Sequence, residues 1–263
     1  MDYLPNTRKS LGQHWLQDEA SLDAMIDAAD ISLTDTVLEI GSGPGTLTEE
    51  LVHSASKVIA VEFDESLARE LPLRVSADNL TVIRQDILKF DLTSLPAGYK
   101  VVANIPYYLT SNLLRVLCES PNHFSKAAIL IQKEVAQRVC ARPGSMSLLS
   151  VSVQFYCEAS LGQVVPAELF TPPPKVDSQI LKLAYRPEPL YPDIDAVVFF
   201  RLVKAGFSQR RKTLLNSLGG GLRLNREQTA TLLEKAGIKS TDRAQTLSLD
   251  NWHSLYIAYI AGS

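Results

Sequence analysis

Through the first two thirds of the chain, short runs of β-branched and apolar residues alternate with segments whose apolar positions recur at helical spacing. The runs predict strands over 36–40, 57–62, 80–83, 100–104, 127–132, 149–156 and 178–185. The segments between them predict helices over 19–29, 46–54, 65–75, 111–119 and 133–140, each with one apolar face to lay on a sheet. Strands alternating with helices in this way describe an α/β domain with a seven-stranded, mostly parallel sheet. A loop, not a helix, separates the last two strands, so an antiparallel addition at the sheet edge is expected.

Arg186-Pro187-Glu188-Pro189-Leu190-Tyr191-Pro192 interrupts the pattern with prolines that exclude regular helix or sheet. The domain boundary is placed there, giving an α/β domain over 1–187 and a small domain over 188–263. In the second part only helical spacing appears, over 197–207, 212–218, 226–236 and 251–260, with a break at Gly219-Gly220-Gly221.

Composition changes this picture little, because 46% hydrophobic and 21% charged residues in a chain of 263 are ordinary globular values. No apolar run approaches the roughly 18 to 20 residues that span a bilayer. The start Met1-Asp2-Tyr3-Leu4-Pro5-Asn6 lacks a secretory pattern, so a cytoplasmic protein without a membrane partner is expected. Cys118, Cys140 and Cys157 are odd in number and include no C-x-x-C, which argues against a disulfide framework or a cysteine-rich zinc site. No metal is called for.

Charge matters more in its distribution than in its sum of −3. Between Ala196 and Arg226 there is no acidic residue, while Arg201, Lys204, Arg210, Arg211, Lys212, Arg223 and Arg226 supply a basic footprint suited to phosphates.

The candidate chemistry sits at successive strand ends. Glu39-Ile40-Gly41-Ser42-Gly43-Pro44-Gly45 follows the first main strand and opens a helix, so backbone can approach a ligand at Gly41, Gly43 and Gly45. The spacing is G-x-G-x-G, with Thr46 after Gly45, and not the G-x-G-x-x-G of a dinucleotide fingerprint. It resembles motif I of the S-adenosylmethionine-dependent methyltransferases, whose ligand has no pyrophosphate to cradle. Glu62 ends the next strand, 21 residues after Gly41, where a carboxylate accepts both hydroxyls of a ribose. Asp86 follows the third and suits an adenine amino group. Asn104-Ile105-Pro106-Tyr107 follows the fourth. There the Asn104 amide oxygen and a turn carbonyl accept the hydrogens of an exocyclic amine, Pro106 fixes the backbone, and Tyr107 offers a stacking face. In order, these residues describe a nucleoside site along one rim of the sheet.

Three further stretches carry a resemblance that covers nearly the whole chain. Arg8-Lys9-Ser10-Leu11-Gly12-Gln13-His14-Trp15-Leu16 resembles R-K-x-x-G-Q-N-F-L, Phe170-Thr171-Pro172-Pro173-Pro174-Lys175-Val176-Asp177-Ser178 matches F-x-P-P-P-K-V-D-S, and Phe207-Ser208-Gln209-Arg210-Arg211-Lys212-Thr213 resembles the helix F-x-Q-R-R-K-T. These motifs belong to the KsgA (RsmA) family of ribosomal RNA adenine dimethyltransferases. Two positions depart from it, with His14 where most relatives carry Asn and Trp15 where they carry Phe.

The resemblance implies a Rossmann-like methyltransferase domain followed by a small all-α RNA-binding domain. It implies transfer of methyl groups from S-adenosylmethionine to N6 of two adjacent adenosines near the 3′ end of 16S ribosomal RNA in the immature small subunit, by a monomer. His14 and Leu16 would then help cap the cofactor bound at Gly41, Gly43, Gly45, Glu62, Asp86 and Asn104. Asn104, Ile105, Pro106, Tyr107 and Phe170 would hold the adenine, with Tyr107 and Phe170 stacking on it. Lys175, Arg210, Arg211 and Lys212 would meet phosphates. A 23S ribosomal RNA adenine methyltransferase of the antibiotic-resistance type, a noncatalytic RNA-binding assembly or transcription factor and a nicotinamide dehydrogenase are the competing readings. Thr46 and the lack of a hydride-transfer site weigh against the last.

Overall fold

The computed structural model describes residues 4, 5, 7, 8 and 11–262, so Met1, Asp2, Tyr3, Asn6, Lys9 and Ser10, all named above, lie outside the described residues. In chain order the strands are β1 (Trp15–Leu16), β2 (Thr36–Ile40), β3 (Lys57–Glu62), β4 (Leu80–Arg84), β5 (Lys100–Asn104), β6 (Lys126–Gln132), β7 (Cys157–Val165), β8 (Phe170–Thr171) and β9 (Ser178–Tyr185). The helices are α1 (Glu19–Ala28), α2 (Thr46–Ser54), α3 (Glu65–Arg74), α4 (Thr110–Glu119), α5 (Lys133–Val139), α6 (Leu148–Tyr156), α7 (Ala196–Phe207), α8 (Leu214–Leu222), α9 (Arg226–Lys235) and α10 (Leu249–Ile260).

Near-continuous apolar runs mark strands covered on both faces, and β2, β3, β5 and β6 are such strands. They lie at the centre of a seven-stranded sheet of order β4-β3-β2-β5-β6-β9-β7, in which the first five strands are parallel. The antiparallel addition expected at the edge is present, with β9 pairing antiparallel to both β6 and β7. One face sets Val37, Val58, Val102 and Ala128 against Leu22 and Met25 of α1 and Leu47 and Leu51 of α2. Residues of the opposite parity, Leu38, Ile59, Val101 and Ile129, are buried as well. Each fully buried side chain of this kind contributes about 1.5–3 kcal/mol from apolar area.

The strand order reverses between β2 and β5, because β2, β3 and β4 run outward one way and β5, β6 the other. A sheet of this kind opens a crevice at the carboxyl ends of the strands flanking the reversal. Those ends are Ile40-Gly41 and Asn104-Ile105.

The chain divides into two compact units. The first comprises residues up to Gln137 together with Cys157–Tyr185, and the second comprises Arg138–Tyr156 together with residues from Arg186 onward. The second unit packs α6–α10 around Trp252, which is fully buried among Phe199, Leu202, Leu214, Leu233 and Leu255.

Four expectations need correction. The strand expected over 149–156 is the helix α6, and the strand comes directly after it as β7. The alternation Leu149-Ser150-Val151-Ser152-Val153 imitates a strand, but the Ser147 amide donates to the Ser150 hydroxyl oxygen at 2.6 Å and the Ser150 amide donates to Ser147 Oγ at 3.2 Å, starting a helix. Val151 and Phe155 then pack into the helical core, where Phe155 stacks on Phe199 at 4.8 Å. The segment 138–156 therefore belongs with the second unit, although a single division at Arg186 leaves it in the first.

The glycine triplet is not a break, since Gly219, Gly220 and Gly221 lie inside α8. A Cβ on Gly221 would stand 2.6 Å from the Ala205 Cβ, so the missing side chain is what lets α8 lie close against α7. Finally, Phe207-Ser208-Gln209-Arg210-Arg211-Lys212-Thr213 is not a helix; Phe207 ends α7, Thr213 is the N-cap of α8, and the basic residues occupy the turn between.

Candidate active site

A cleft of about 240 Å³ opens in the first unit at the reversal of strand order. It is lined by Gly41 and Gly43 after β2, Glu62 and Phe63 after β3, Asp86 after β4, Asn104 to Leu109 after β5, and by Leu11–Leu16 and Phe170. The strand-end residues singled out in the sequence thus converge on one cavity, Gly45 excepted. Gly45 sits behind the lining as the N-cap of α2, where a Cβ would meet the Leu71 side chain at 2.7 Å.

The glycine loop is held by its own backbone. Gly41, Gly43 and Gly45 all have positive φ, and the Gly41 amide donates to the Val61 carbonyl at 2.9 Å. Above Gly41 the nearest atom to a Cβ would be the Asn104 carbonyl oxygen at 3.6 Å. At Gly43 the added atom would stand 2.8 Å from the Trp15 ring, so this position needs glycine for close packing as well as for its φ of 55°.

Glu62 is a scaffold as well as a ligand candidate. Its Oε2 accepts the Gly43 amide at 2.9 Å and its Oε1 accepts the Asp64 amide at 2.8 Å. Each carboxylate oxygen retains acceptor capacity, so hydroxyls can still be taken. Burial pushes the Glu62 carboxyl above the ordinary glutamate range, against the Asp64 and Gly43 amides that favour the charge. Glu39, two residues before Gly41, is buried beneath the loop and takes the Thr48 hydroxyl at 2.7 Å, tying α2 to β2. Burial raises its pKa to about 8. Asp86 accepts the Leu88 amide through Oδ1 at 3.0 Å.

Asn104 ends β5 in register with Leu130. Among the described residues its side-chain amide has no hydrogen-bond partner. Pro106 starts a single helical turn over Tyr107–Leu109, closed by the Leu109 amide donating to the Pro106 carbonyl at 3.0 Å. Tyr107 is half-buried and its hydroxyl meets Ser178 Oγ at 2.9 Å; burial raises its pKa despite that bond, and the nearby Asp177 carboxylate adds to the rise.

The amino-terminal segment closes the cleft through β1, which pairs antiparallel with β8 so that Trp15 faces Thr171 and Leu16 faces Phe170. The Leu16 carbonyl accepts the Thr46 hydroxyl at 2.9 Å, and Arg8 forms an ion pair with Asp64 at 2.9 Å. His14 Nδ1 donates to the Pro172 carbonyl at 2.6 Å, since a carbonyl only accepts. Its ring lies 6.3 Å from that of Tyr107 at an interplanar angle of 21°.

Phe170 is 4% exposed and packs with Leu16 and Leu22 in the sheet core while lining the cleft. Lys175 lies outside the cleft, exposed on the loop before β9. Arg210, Arg211 and Lys212 belong to the second unit and are exposed.

Two lining residues escape sequence reasoning. Phe63 is 61% exposed and Tyr108 is 68% exposed, both at the cleft. The available signal was an aromatic directly after an acidic strand end and a second aromatic in the turn.

The groups present fit S-adenosyl-L-methionine. Gly41 leaves backbone open to a ligand, Glu62 retains acceptor capacity for ribose hydroxyls, Asp86 keeps Oδ2 for an amine, and Phe63 exposes a flat apolar face beside them.

Comparison with known proteins agrees. The profile of a family described as ribosomal RNA adenine dimethylase matches residues 5–261. Proteins named ribosomal RNA small subunit methyltransferase A are 43% identical in Dehalococcoides mccartyi, over 98% of this chain and 90% of the relative, and 39% identical in Clostridioides difficile, over 94% and 89%. A dimethyladenosine transferase from Plasmodium falciparum superposes with TM-score 0.81 at 29% identity, covering 94% of this chain and 97% of that one. The 23S rRNA methyltransferase ErmE superposes with TM-score 0.73 at 28% identity, covering 93% and 98%. With the rim residues gathered on one cleft and a family match along nearly the full length, this chain belongs to the ribosomal RNA adenine dimethylase family.

Proposed function

We propose that this chain transfers methyl groups from S-adenosyl-L-methionine to N6 of two adjacent adenosines near the 3′ end of 16S ribosomal RNA. The immature small subunit is the substrate, and the enzyme acts in the cytoplasm as a monomer. The observation that carries the reading is Asn104, whose amide lacks a partner among the described residues and stands beside the glycine loop where the strand order reverses.

When bound, S-adenosyl-L-methionine supplies an electrophilic methyl group. The residues of the chain supply position and electrostatics. Glu62 and Asp86 hold ribose and adenine of the cofactor, Gly41 and Gly43 admit it against the backbone, and Phe63 covers its base. His14 and Leu16 close the site from the amino-terminal side. For the acceptor adenine, Asn104 Oδ1 and the Ile105 carbonyl accept the N6 hydrogens and hold the amine in line. As N6 gains its bond to the methyl carbon, for which the methyl–sulfur bond would break and leave S-adenosylhomocysteine, the amine becomes cationic, and these oxygens stabilise the charge. The N6 proton becomes acidic only then and leaves to solvent, so no general base is needed beforehand. Pro106 fixes the turn. Tyr107 stacks on the adenine with Phe170 beneath, offsetting an unstacking cost of a few kcal/mol. Lys175, Arg210, Arg211 and Lys212 neutralise phosphates.

Asn104→Ala tests the reading. Labelled methyl incorporation into small subunits from cells lacking the gene should fall by about 100-fold or more while the fold persists. Full activity overturns the role of Asn104, and label appearing in 23S ribosomal RNA instead overturns the substrate.

A further inference from the structure

A second groove, of about 500 Å³, lies in the same unit outside the cleft, lined by Gln132, Lys133, Glu134, Gln137, Lys175, Val176 and Asp177. Among the described residues the side chains of Gln132, Lys133, Gln137 and Lys175 make no hydrogen bond or ion pair. Lys175 and Gln137 are exposed and Lys133 and Gln132 half-buried, so two cations and two amides are free to meet a ligand on one concave surface. The groove is also joined to the acceptor side of the cleft. The Lys133 amide donates to the Asp177 carbonyl at 3.0 Å, and the next residue, Ser178, meets the Tyr107 hydroxyl at 2.9 Å. One stretch of backbone, Asp177-Ser178, therefore forms a wall of the groove and the support of the stacking tyrosine.

We propose that this groove is a subsite for the second adenosine, the one not undergoing reaction, while its neighbour occupies the site at Asn104. The inference rests on the function proposed above. Lys133 and Lys175 meet the phosphates flanking that nucleotide as point charges. The amides of Gln132 and Gln137 are suited to adenine, since a glutamine accepts from N6 and donates to N7 in one planar contact. Guanine presents O6 in place of the N6 amine and loses that match. A dimethylated N6 has no hydrogen to donate, so the same contact senses whether the neighbour has already been modified.

The test uses the full-length enzyme and unmethylated small-subunit particles, with RNA affinity measured across a salt series and methylation mapped separately at each adenosine. Lys133→Ala should weaken particle binding and lower the salt slope by about one, while affinity for S-adenosylhomocysteine is unchanged. Lys133→Arg should restore binding, as a packing role for the lysine would not require. Replacing the neighbouring adenosine by guanosine should weaken wild-type binding about tenfold, and the loss should vanish in the Gln132→Ala, Gln137→Ala double variant. Wild-type salt dependence in Lys133→Ala, or an undiminished guanosine penalty in the double variant, overturns the subsite. If the wild-type enzyme methylates neither adenosine, it is the proposed function that fails; methylation by the wild type with indifferent groove variants sinks the groove alone.

Discussion

The Gly43 amide donates to Glu62 Oε2 at 2.9 Å, so the glycine loop after β2 and the acidic end of β3 form one rigid unit. Glu62 therefore shapes the glycine loop beside which it lines the cleft. Glu62→Gln replaces one acceptor oxygen by a donor, which then faces the Gly43 or Asp64 amide. Stability should fall by about 1–3 kcal/mol and cofactor affinity with it. Thermal unfolding and calorimetric titration with S-adenosylhomocysteine measure the two losses, and unaltered values in both contradict this dual role.

Glu39 imposes a pH dependence of defined sign. Its folded pKa of about 8 lies above the unfolded value of 4.5, so between these the folded state holds a proton that the unfolded state has released. The stability associated with this group is fully present below 4.5 and is lost as pH rises through about 8. Glu39→Gln keeps an acceptor for Thr48 without the ionisation. Chemical denaturation at acid and alkaline pH should show the variant gaining on the wild type as pH rises, by an amount on the order of a few kcal/mol. A constant difference across pH excludes it.

Gly43→Ala combines a strained φ with the approach of the Trp15 ring. A cost of about 1–3 kcal/mol is expected. Trp15→Phe removes the atoms that would clash, so the double variant should recover part of the loss in unfolding experiments. Simple additivity of the two changes rules out the contact as its cause.

Tyr107 separates stacking from hydrogen bonding. Tyr107→Phe forgoes only the contact with Ser178 and should cost about 1 kcal/mol of stability with most activity retained. Tyr107→Ala removes the ring and should lose activity by at least tenfold, in keeping with about 1–3 kcal/mol for a base–aromatic stack. Equal activity of the two variants dismisses the stacking role.

Much of the fold was legible because local chemistry and tertiary structure agree. Val58-Ile59-Ala60-Val61 and Val101-Val102-Ala103 can only be covered strands, and the acidic or amide residue closing each run marks the rim of the sheet. Where two periods fit the same residues, the sequence was ambiguous. Leu149-Ser150-Val151-Ser152-Val153 satisfies a strand as well as a helix, and packing of Val151 and Phe155 into the helical core decided between them. Gly219-Gly220-Gly221 reads as a break by propensity, and only the closeness of Ala205 shows why position 221 needs glycine inside a helix. In the site, the sequence supplied Gly41, Glu62, Asp86 and Asn104 because each chemistry-bearing type stands at a strand end. Exposure cannot be read from residue type, so Phe63, Tyr108 and the bond between His14 and Pro172 emerged only in three dimensions. What the sequence determined by itself was the five parallel strands, β2 to β6, and the chemical groups along their ends. The tertiary structure decided which of those ends meet, because the reversal of strand order between β2 and β5 depends on long-range pairing that no local pattern encodes.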